Sequence, residues 1–377
     1  MNVIVQTTRR SFDAAPSRPL RSTVFFHHQD LSETNLEELK LFSNLSKKSN
    51  HILISDDNVT RLYLKPLIDC IRPLDLKIHP ITIPSGEQSK NLQTYGTILQ
   101  QSIDFGLDKN STIISFGGGV IKDLAGFLAA TLFRGVGLIC IPTTLLAQVD
   151  AAIGFKQGLN LPQGKNLVGS YYSASEIWIN TVFLQSLSER SIRDGLSESV
   201  KIALCQSEDF LEVLDNIQSS DINCLTQVVE KSVLLKIGVM GGQPDWGEAV
   251  RLYGHCIGHA LEHLSCGDLG HGESIAIGMC ISAELSALLN IADFALLQRH
   301  YTILKSIGLP TKVPPDVDPG QIWDQIRHDK HFIEGKMHTA ILRSIGVIAR
   351  TADGGFAYGF GKDIVLQAIR INQSRMD

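Results

Sequence analysis

Ser111-Thr-Ile-Ile-Ser-Phe-Gly-Gly-Gly-Val-Ile-Lys-Asp-Leu-Ala-Gly126 opens as a short apolar, β-branched run, breaks at three glycines and continues into a helix-forming segment. That is a strand, a tight turn and a helix. Consecutive glycines let backbone N–H groups approach a pyrophosphate at the positive end of the helix. The pattern is neither G-x-G-x-x-G nor a phosphate loop ending in Gly-Lys-Ser/Thr. A βα turn without a ligand is the other reading of the same residues.

The same rhythm surrounds this stretch. His51-Ile-Leu-Ile54 ends in Ser55-Asp-Asp-Asn58, Ile81-Thr-Ile83 in Pro84-Ser-Gly-Glu87, and Val136-Gly-Leu-Ile-Cys-Ile141 in Pro142-Thr-Thr144. Strands that alternate with helical patterns predict an α/β fold with a parallel sheet and crossover helices. Ligands bind such sheets at the carboxyl ends of the strands, where these polar turns lie. Beyond Leu184 the rhythm changes. Amphipathic runs over 192–204 and 225–239 predict a mostly helical second unit. The expected domains are therefore 1–183 and 184–377.

Composition narrows the functions open to the chain. It has 377 residues and a formal net charge of −5, which indicates neither a nucleic-acid surface nor a polybasic membrane surface. Its seven cysteines include no C-x-x-C pair, as expected of reduced thiols in a cytoplasmic protein. Residues 1–10 contain no long apolar stretch, so no signal peptide is expected. No apolar run is long enough to span a bilayer.

The second informative stretch is Tyr253-Gly-His-Cys-Ile-Gly-His-Ala-Leu-Glu-His263, followed by His271-Gly-Glu-Ser274. His255 and His259 are four apart, so a helix puts both imidazoles on one face with Glu262 beside them. Neutral imidazoles so placed suit Zn²⁺ or a similar ion. A histidine-rich helix without metal fits equally well. Cys256 stands where a zinc peptidase has its Glu, which argues against a peptidase. The lysines and asparagines between Asp150 and Asn166 read as a glycine-broken loop, either an anion site or simply solvated. Glu198 and Lys201 share a helix face and read as a surface ion pair.

Taken in order, these motifs resemble the sugar-phosphate cyclases of the 3-dehydroquinate synthase superfamily. The resemblance is carried by Pro84-Ser-Gly-Glu-Gln-Ser-Lys90, Gly117-Gly-Gly-Val-Ile-Lys-Asp-Leu-Ala-Gly-Phe127, Arg134-Gly135 and Pro142-Thr-Thr-Leu-Leu-Ala-Gln-Val-Asp150. It continues through Gly164-Lys-Asn166, Gly195-Leu-Ser-Glu198, Gly254-His-Cys-Ile-Gly-His-Ala260 and His271-Gly-Glu273. It spans roughly residues 56–336. It implies a Rossmann-like nucleotide-binding domain, a helical metal-binding domain, NAD⁺, one Zn²⁺ or Co²⁺, and a homodimer.

By position, the resemblance implies Glu198, His255 and His271 as metal ligands, moving His259 from the ion to the substrate. It implies Asp56, Asn58, Glu87, Lys90, Gly118, Gly119, Asp123, Thr143 and Thr144 for NAD⁺. Asp150, Lys156, Lys201, Lys236 and His259 are implied as catalytic. Arg134, Lys165, Asn166 and Lys330 are implied to hold the substrate, with Arg134 reaching a partner's site. The implied chemistry oxidises a ring hydroxyl, eliminates phosphate, returns the hydride, opens the ring and closes a carbocycle by an aldol step.

Departures bear on the substrate. Gly154-Phe-Lys-Gln157 resembles 2-deoxy-scyllo-inosose synthase, not the Gly-Gly-Lys-Thr of the dehydroquinate enzyme. The segment 241–254 is about two residues short and lacks the Arg-Asn whose arginine grips a substrate carboxylate. Arg251 lies nearby, rotated on its helix by the shortening. His331 stands where a phosphate-binding lysine is expected, whereas Glu334-Gly-Lys336 fits the dehydroquinate type. The expectation is therefore glucose 6-phosphate, with the seven-carbon dehydroquinate precursor as the alternative. An iron-type alcohol or glycerol dehydrogenase and a non-catalytic nucleotide binder are the remaining readings.

Overall fold

The computed structural model describes residues 21–33, 42–241 and 244–375. Residues 1–10, considered above for a signal peptide, lie outside that set. Eight strands come first: β1 (Thr23–His27), β2 (Asn50–Asp56), β3 (Lys77–Ile83), β4 (Thr112–Gly117), β5 (Gly137–Pro142), β6 (Lys156–Leu161), β7 (Gly164–Tyr171) and β8 (Glu176–Asn180). Six of them form one sheet in the order β1-β8-β5-β4-β2-β3, and every pairing within it is parallel.

The sheet is covered on both faces, which is why its strands read as near-continuous apolar runs. Alternate residues point to opposite sides. Ile52, Ile54, Ile113 and Leu138 enter the large core shared with the helices of the second half. Leu53, Ile114, Phe116, Ile139 and Ile141 enter a separate cluster around Trp178 and Phe183 on the other face. From β2 the chain steps to β3 at one edge, then returns across β2 to β4. The direction of winding thus reverses between β2 and β4, which opens a crevice at their carboxyl ends.

The segment read as a glycine-broken loop is a two-stranded antiparallel hairpin of β6 and β7. Beyond β8 the chain is mainly helical, with helices Glu189–Gln206, Ile222–Gly241, Pro244–Leu252, His255–Leu264 and His271–Leu288 framing the candidate site. A third core cluster, containing Ile277, Trp323 and Ile369, closes the carboxyl-terminal region. All seven cysteines are free thiols. Among the described residues, no helix is long and apolar enough to cross a membrane.

Candidate active site

At the switch between β2 and β4 lies a cavity of about 490 Å³. Asp56, Asn58, Gly118, Gly119, Thr143 and Thr144 line it. Helix Gly119–Thr131 starts there with Gly118 as its cap and no side chain over its end. The Thr143 hydroxyl is buried without a hydrogen-bond partner. An open helix amino terminus and an unpartnered buried hydroxyl suit the pyrophosphate and sugar of a dinucleotide. The other three residues expected at the cofactor do not line the cavity. Glu87 accepts from Asn160 Nδ2 at 2.6 Å, Lys90 donates to Asn166 Oδ1 at 2.6 Å, and Asp123 pairs with Lys90 and Lys122. They tie the β6–β7 hairpin to the sheet. Their seats in a polar stretch of sequence gave no sign that protein groups would saturate them.

Glu198, His255 and His271 offer ligand atoms that lie within 4.8 Å of one another. His255 Nε2 is 3.4 Å and His271 Nε2 3.7 Å from Glu198 Oε1. Each imidazole is oriented from its far side: His255 Nδ1 meets the Tyr253 carbonyl at 3.0 Å, and His271 Nδ1 meets Glu262 Oε2 at 3.3 Å. For His255 such a partner fixes the tautomer that leaves Nε2 free to ligate; His271, between the Glu198 and Glu262 carboxylates, is pushed up to about 10, so an ion bound there would displace its proton. Glu198 is almost fully buried and ion-paired with Lys201 at 2.5 Å, yet neither of its oxygens accepts a hydrogen bond. Two imidazoles and an under-satisfied buried carboxylate match the donors of a catalytic zinc-type site. The helix-face pair His255/His259 is thereby corrected: His259 Nδ1 turns to Asp329 Oδ2 at 3.2 Å. The surface reading of Glu198–Lys201 is corrected too, because both side chains are buried.

Close helix packing brings the trio together. A Cβ on Gly272 would sit 2.2 Å from the Asp194 carbonyl oxygen, and one on Gly278 would sit 2.0 Å from that of Gly254. Hydrogen at these positions lets helix His271–Leu288 lie against both the Glu198 helix and the His255 helix. Asp194 also accepts from Gly272 N at 2.5 Å, which pins the helix start. Gly278→Ala should therefore force the helices apart and cost about 1–3 kcal/mol or more. A lowered thermal midpoint together with weaker metal retention checks this; an unchanged midpoint would refute the packing argument.

Burial lowers the pKa of His255, with Lys201 adding to the effect, so it stays neutral as a ligand should. Burial would raise Glu198, but Lys201 and His255 outweigh it and hold the carboxylate well below its ordinary value. Burial likewise opposes ionisation of Asp150, and the Lys236 ammonium paired with it prevails. Lys156 is exposed but crowded by protein atoms. That crowding, with the charges of Lys330, Arg251 and Lys236, brings it down to about 8. The charges of Lys330, Lys236 and Arg251, the last displaced in sequence, thus all act on Lys156. Lys165 instead pairs with Glu262 at 2.6 Å. Arg134 stands on an exposed turn of left-handed backbone, φ 62°, with no ion pair to the other candidates among the described residues.

Carboxylates complete the site; the sequence reading placed Glu262 beside the histidines but missed Asp329 and Glu248. Glu262 orients His271, Asp329 orients His259, and Glu248 holds both Arg251 at 2.6 Å and His331 at 3.5 Å. Asp329 lacks a spacing signal toward His259 and Glu248 toward His331, because those partners lie in other elements; Glu248 and Arg251, three apart on one helix, did have one. Glu273 had one: His271-Gly-Glu273 places a carboxylate at the third helical position, and it does cap Gly270 N at 2.7 Å.

Comparison with known proteins adds the following. Residues 80–194 match the family model described as 3-dehydroquinate synthase N-terminal, and residues 195–332 that described as 3-dehydroquinate synthase C-terminal. A 3-dehydroquinate synthase of Desulforamulus reducens is 37% identical over 309 residues, 79% of this chain and 85% of that protein. A 2-deoxy-scyllo-inosose synthase, solved with carbaglucose-6-phosphate, NAD⁺ and Co²⁺, superposes with a TM-score of 0.82 at 28% identity, covering 93% of this chain and 96% of that one. A 2-epi-5-epi-valiolone synthase from Streptomyces hygroscopicus subsp. jinggangensis, solved with NAD⁺ and Zn²⁺, also reaches 0.82, at 23% identity over 96% of this chain and 99% of that one, which speaks to the fold alone.

Proposed function

The chain belongs to the 3-dehydroquinate synthase family, and on that premise we propose that it is a 3-dehydroquinate synthase, a carbon–oxygen lyase that turns a phosphorylated seven-carbon sugar acid into a carbocycle. This replaces the expectation of glucose 6-phosphate. Relatives at 35–37% identity carry the dehydroquinate name. The observation that carries the reading is that identity, held over 79% and 85% of the chain; Arg251 agrees with it. Its absence from the usual position argued against a carboxylated substrate, yet its charge acts on Lys156. Its Nε and Nη2 donate to Glu248 Oε2, so a substrate carboxylate would take the guanidinium fork over from Glu248. The inosose reading keeps the support of the fold neighbour at 28% identity and of Gly154-Phe-Lys-Gln157.

NAD⁺ would lie in the cavity lined by Asp56, Asn58, Gly118, Gly119, Thr143 and Thr144, and a Zn²⁺ or Co²⁺ would be held by Glu198, His255 and His271. Bound there, the pair supplies a reversible hydride acceptor and polarisation of substrate hydroxyls. Lys156, Lys330 and Arg251 attract the phosphate and carboxylate. Lys236 and Lys201, held by Asp150 and Glu198, keep fixed positive charge beside the reacting carbons. His259, backed by Asp329, can take and return a proton. Lys165 and Asn166 stand at the hairpin edge of the cleft, where substrate would draw them from Glu262 and Lys90. Arg134 would serve a partner's site in a homodimer. The division into 1–183 and 184–377, cutting the turn Thr181–Ser186, and a cytoplasmic location are part of the same proposal.

The test is phosphate release by purified protein with NAD⁺ and Co²⁺. The seven-carbon acid should turn over and glucose 6-phosphate should not; the reverse result restores the inosose reading. Arg251→Gln should raise KM for the acid about 10–100-fold, the worth of a charge-assisted hydrogen bond, and an unchanged KM removes Arg251 from the site. Lys156 adds a pH signature. It is cationic below about 8 and neutral above, so kcat/KM should fall as pH rises through 8. Loss of that limb in Lys156→Arg would identify the group; its persistence would assign it elsewhere.

A further inference from the structure

Beside the first trio stands a second one that the proposed reaction does not use as ligands. Cys256 Sγ, an Asp329 carboxylate oxygen and a His331 ring nitrogen lie within 4.8 Å of one another. Cys256 follows His255 on the same helix, while Asp329 and His331 come from the turn after helix Pro319–Ile326. Thiolate, imidazole and carboxylate are the donors of a borderline-soft divalent ion.

The groups are also braced as ligands are. His331 Nδ1 is 2.9 Å from Asp329 Oδ1, while its Nε2 faces Glu248 Oε1 at 3.5 Å. The second carboxylate oxygen, Asp329 Oδ2, is held by His259 Nδ1 at 3.2 Å. Both donors thus have their far atoms engaged, the arrangement seen at His271 and Glu262 in the first trio. Cys256 is 2% exposed and its thiol reaches only a carbonyl, His338 O, at 3.1 Å. One of these residues, His331, also stands where this sequence departs from the family's pattern.

We propose that Cys256, Asp329 and His331 form a second divalent-metal site, selective for Zn²⁺ or Co²⁺ and distinct from the Glu198–His255–His271 trio. Water completes its coordination, and the thiol proton leaves to solvent when the ion binds. The site does not depend on which sugar phosphate is turned over.

The test counts metal on the full chain, loaded with Zn²⁺ and desalted. Wild type should retain about two equivalents, His331→Lys about one, and Cys256→Ser about one. With Co²⁺, wild type should show a near-ultraviolet thiolate-to-metal charge-transfer band that His271→Ala keeps and Cys256→Ser loses. One equivalent in wild type, two retained by His331→Lys, or no charge-transfer band would each overturn the proposal. Cys256 is in the core; where its serine variant fails to fold, the count for His331→Lys, at a less buried position, decides.

Discussion

His271→Ala is expected to abolish turnover and release the metal of the first trio while the fold survives. His271 is one of the three residues whose ligand atoms converge, and His259, the imidazole beside it, is turned toward Asp329. Losing metal-assisted polarisation removes several kcal/mol of transition-state stabilisation, on the order of 10³-fold in rate. The helix should persist because its start is fixed by other groups. Asp194 accepts from Gly272 N, and Glu273 caps Gly270 while pairing with Arg190 at 2.6 Å. Elemental analysis, circular dichroism and a phosphate-release assay on one preparation check all three parts. Undiminished metal at the first trio would reject the ligand assignment.

Gly118→Val carries the second large effect. Gly118 has φ −75° and ψ −168°, an extended conformation open to any residue, so valine adds no backbone strain. The cost falls on the cavity. A Cβ there already lies 3.1 Å from Thr144 Cγ2, and the valine methyls must project into the space lined by Gly119 and Thr143. Those methyls cover the N–H groups at the helix start, where a pyrophosphate would dock. NAD⁺ affinity should drop about 100-fold or more, near 2.7 kcal/mol, with the thermal midpoint within a few degrees of wild type. Equal affinities by calorimetry would move the cofactor elsewhere.

The sequence by itself determined the architecture. Apolar runs such as Ile52-Leu-Ile54 and Ile113-Ile114, each ending in a polar or glycine turn, specify buried parallel strands because a sheet covered on both faces admits nothing else. The turns mark strand ends, so the residues around Asp56, Gly118 and Thr143 were legible as cavity lining. The family resemblance pointed to Glu198, His255 and His271, whose ligand atoms the fold brings within 4.8 Å of one another, although helical spacing alone pointed to His255 and His259. That spacing reports which residues share a face, and not which of them turns toward a neighbouring carboxylate. Only the tertiary structure decided that Glu198 and Lys201 are buried, since an i,i+3 pair looks the same on a surface and in a core. Only it showed Glu87 and Lys90 held by Asn160 and Asn166 of the hairpin, and Lys165 by Glu262. These are contacts between segments far apart in the chain, as is the packing of helix His271–Leu288 at glycines 272 and 278, and no local pattern of side chains encodes such a meeting.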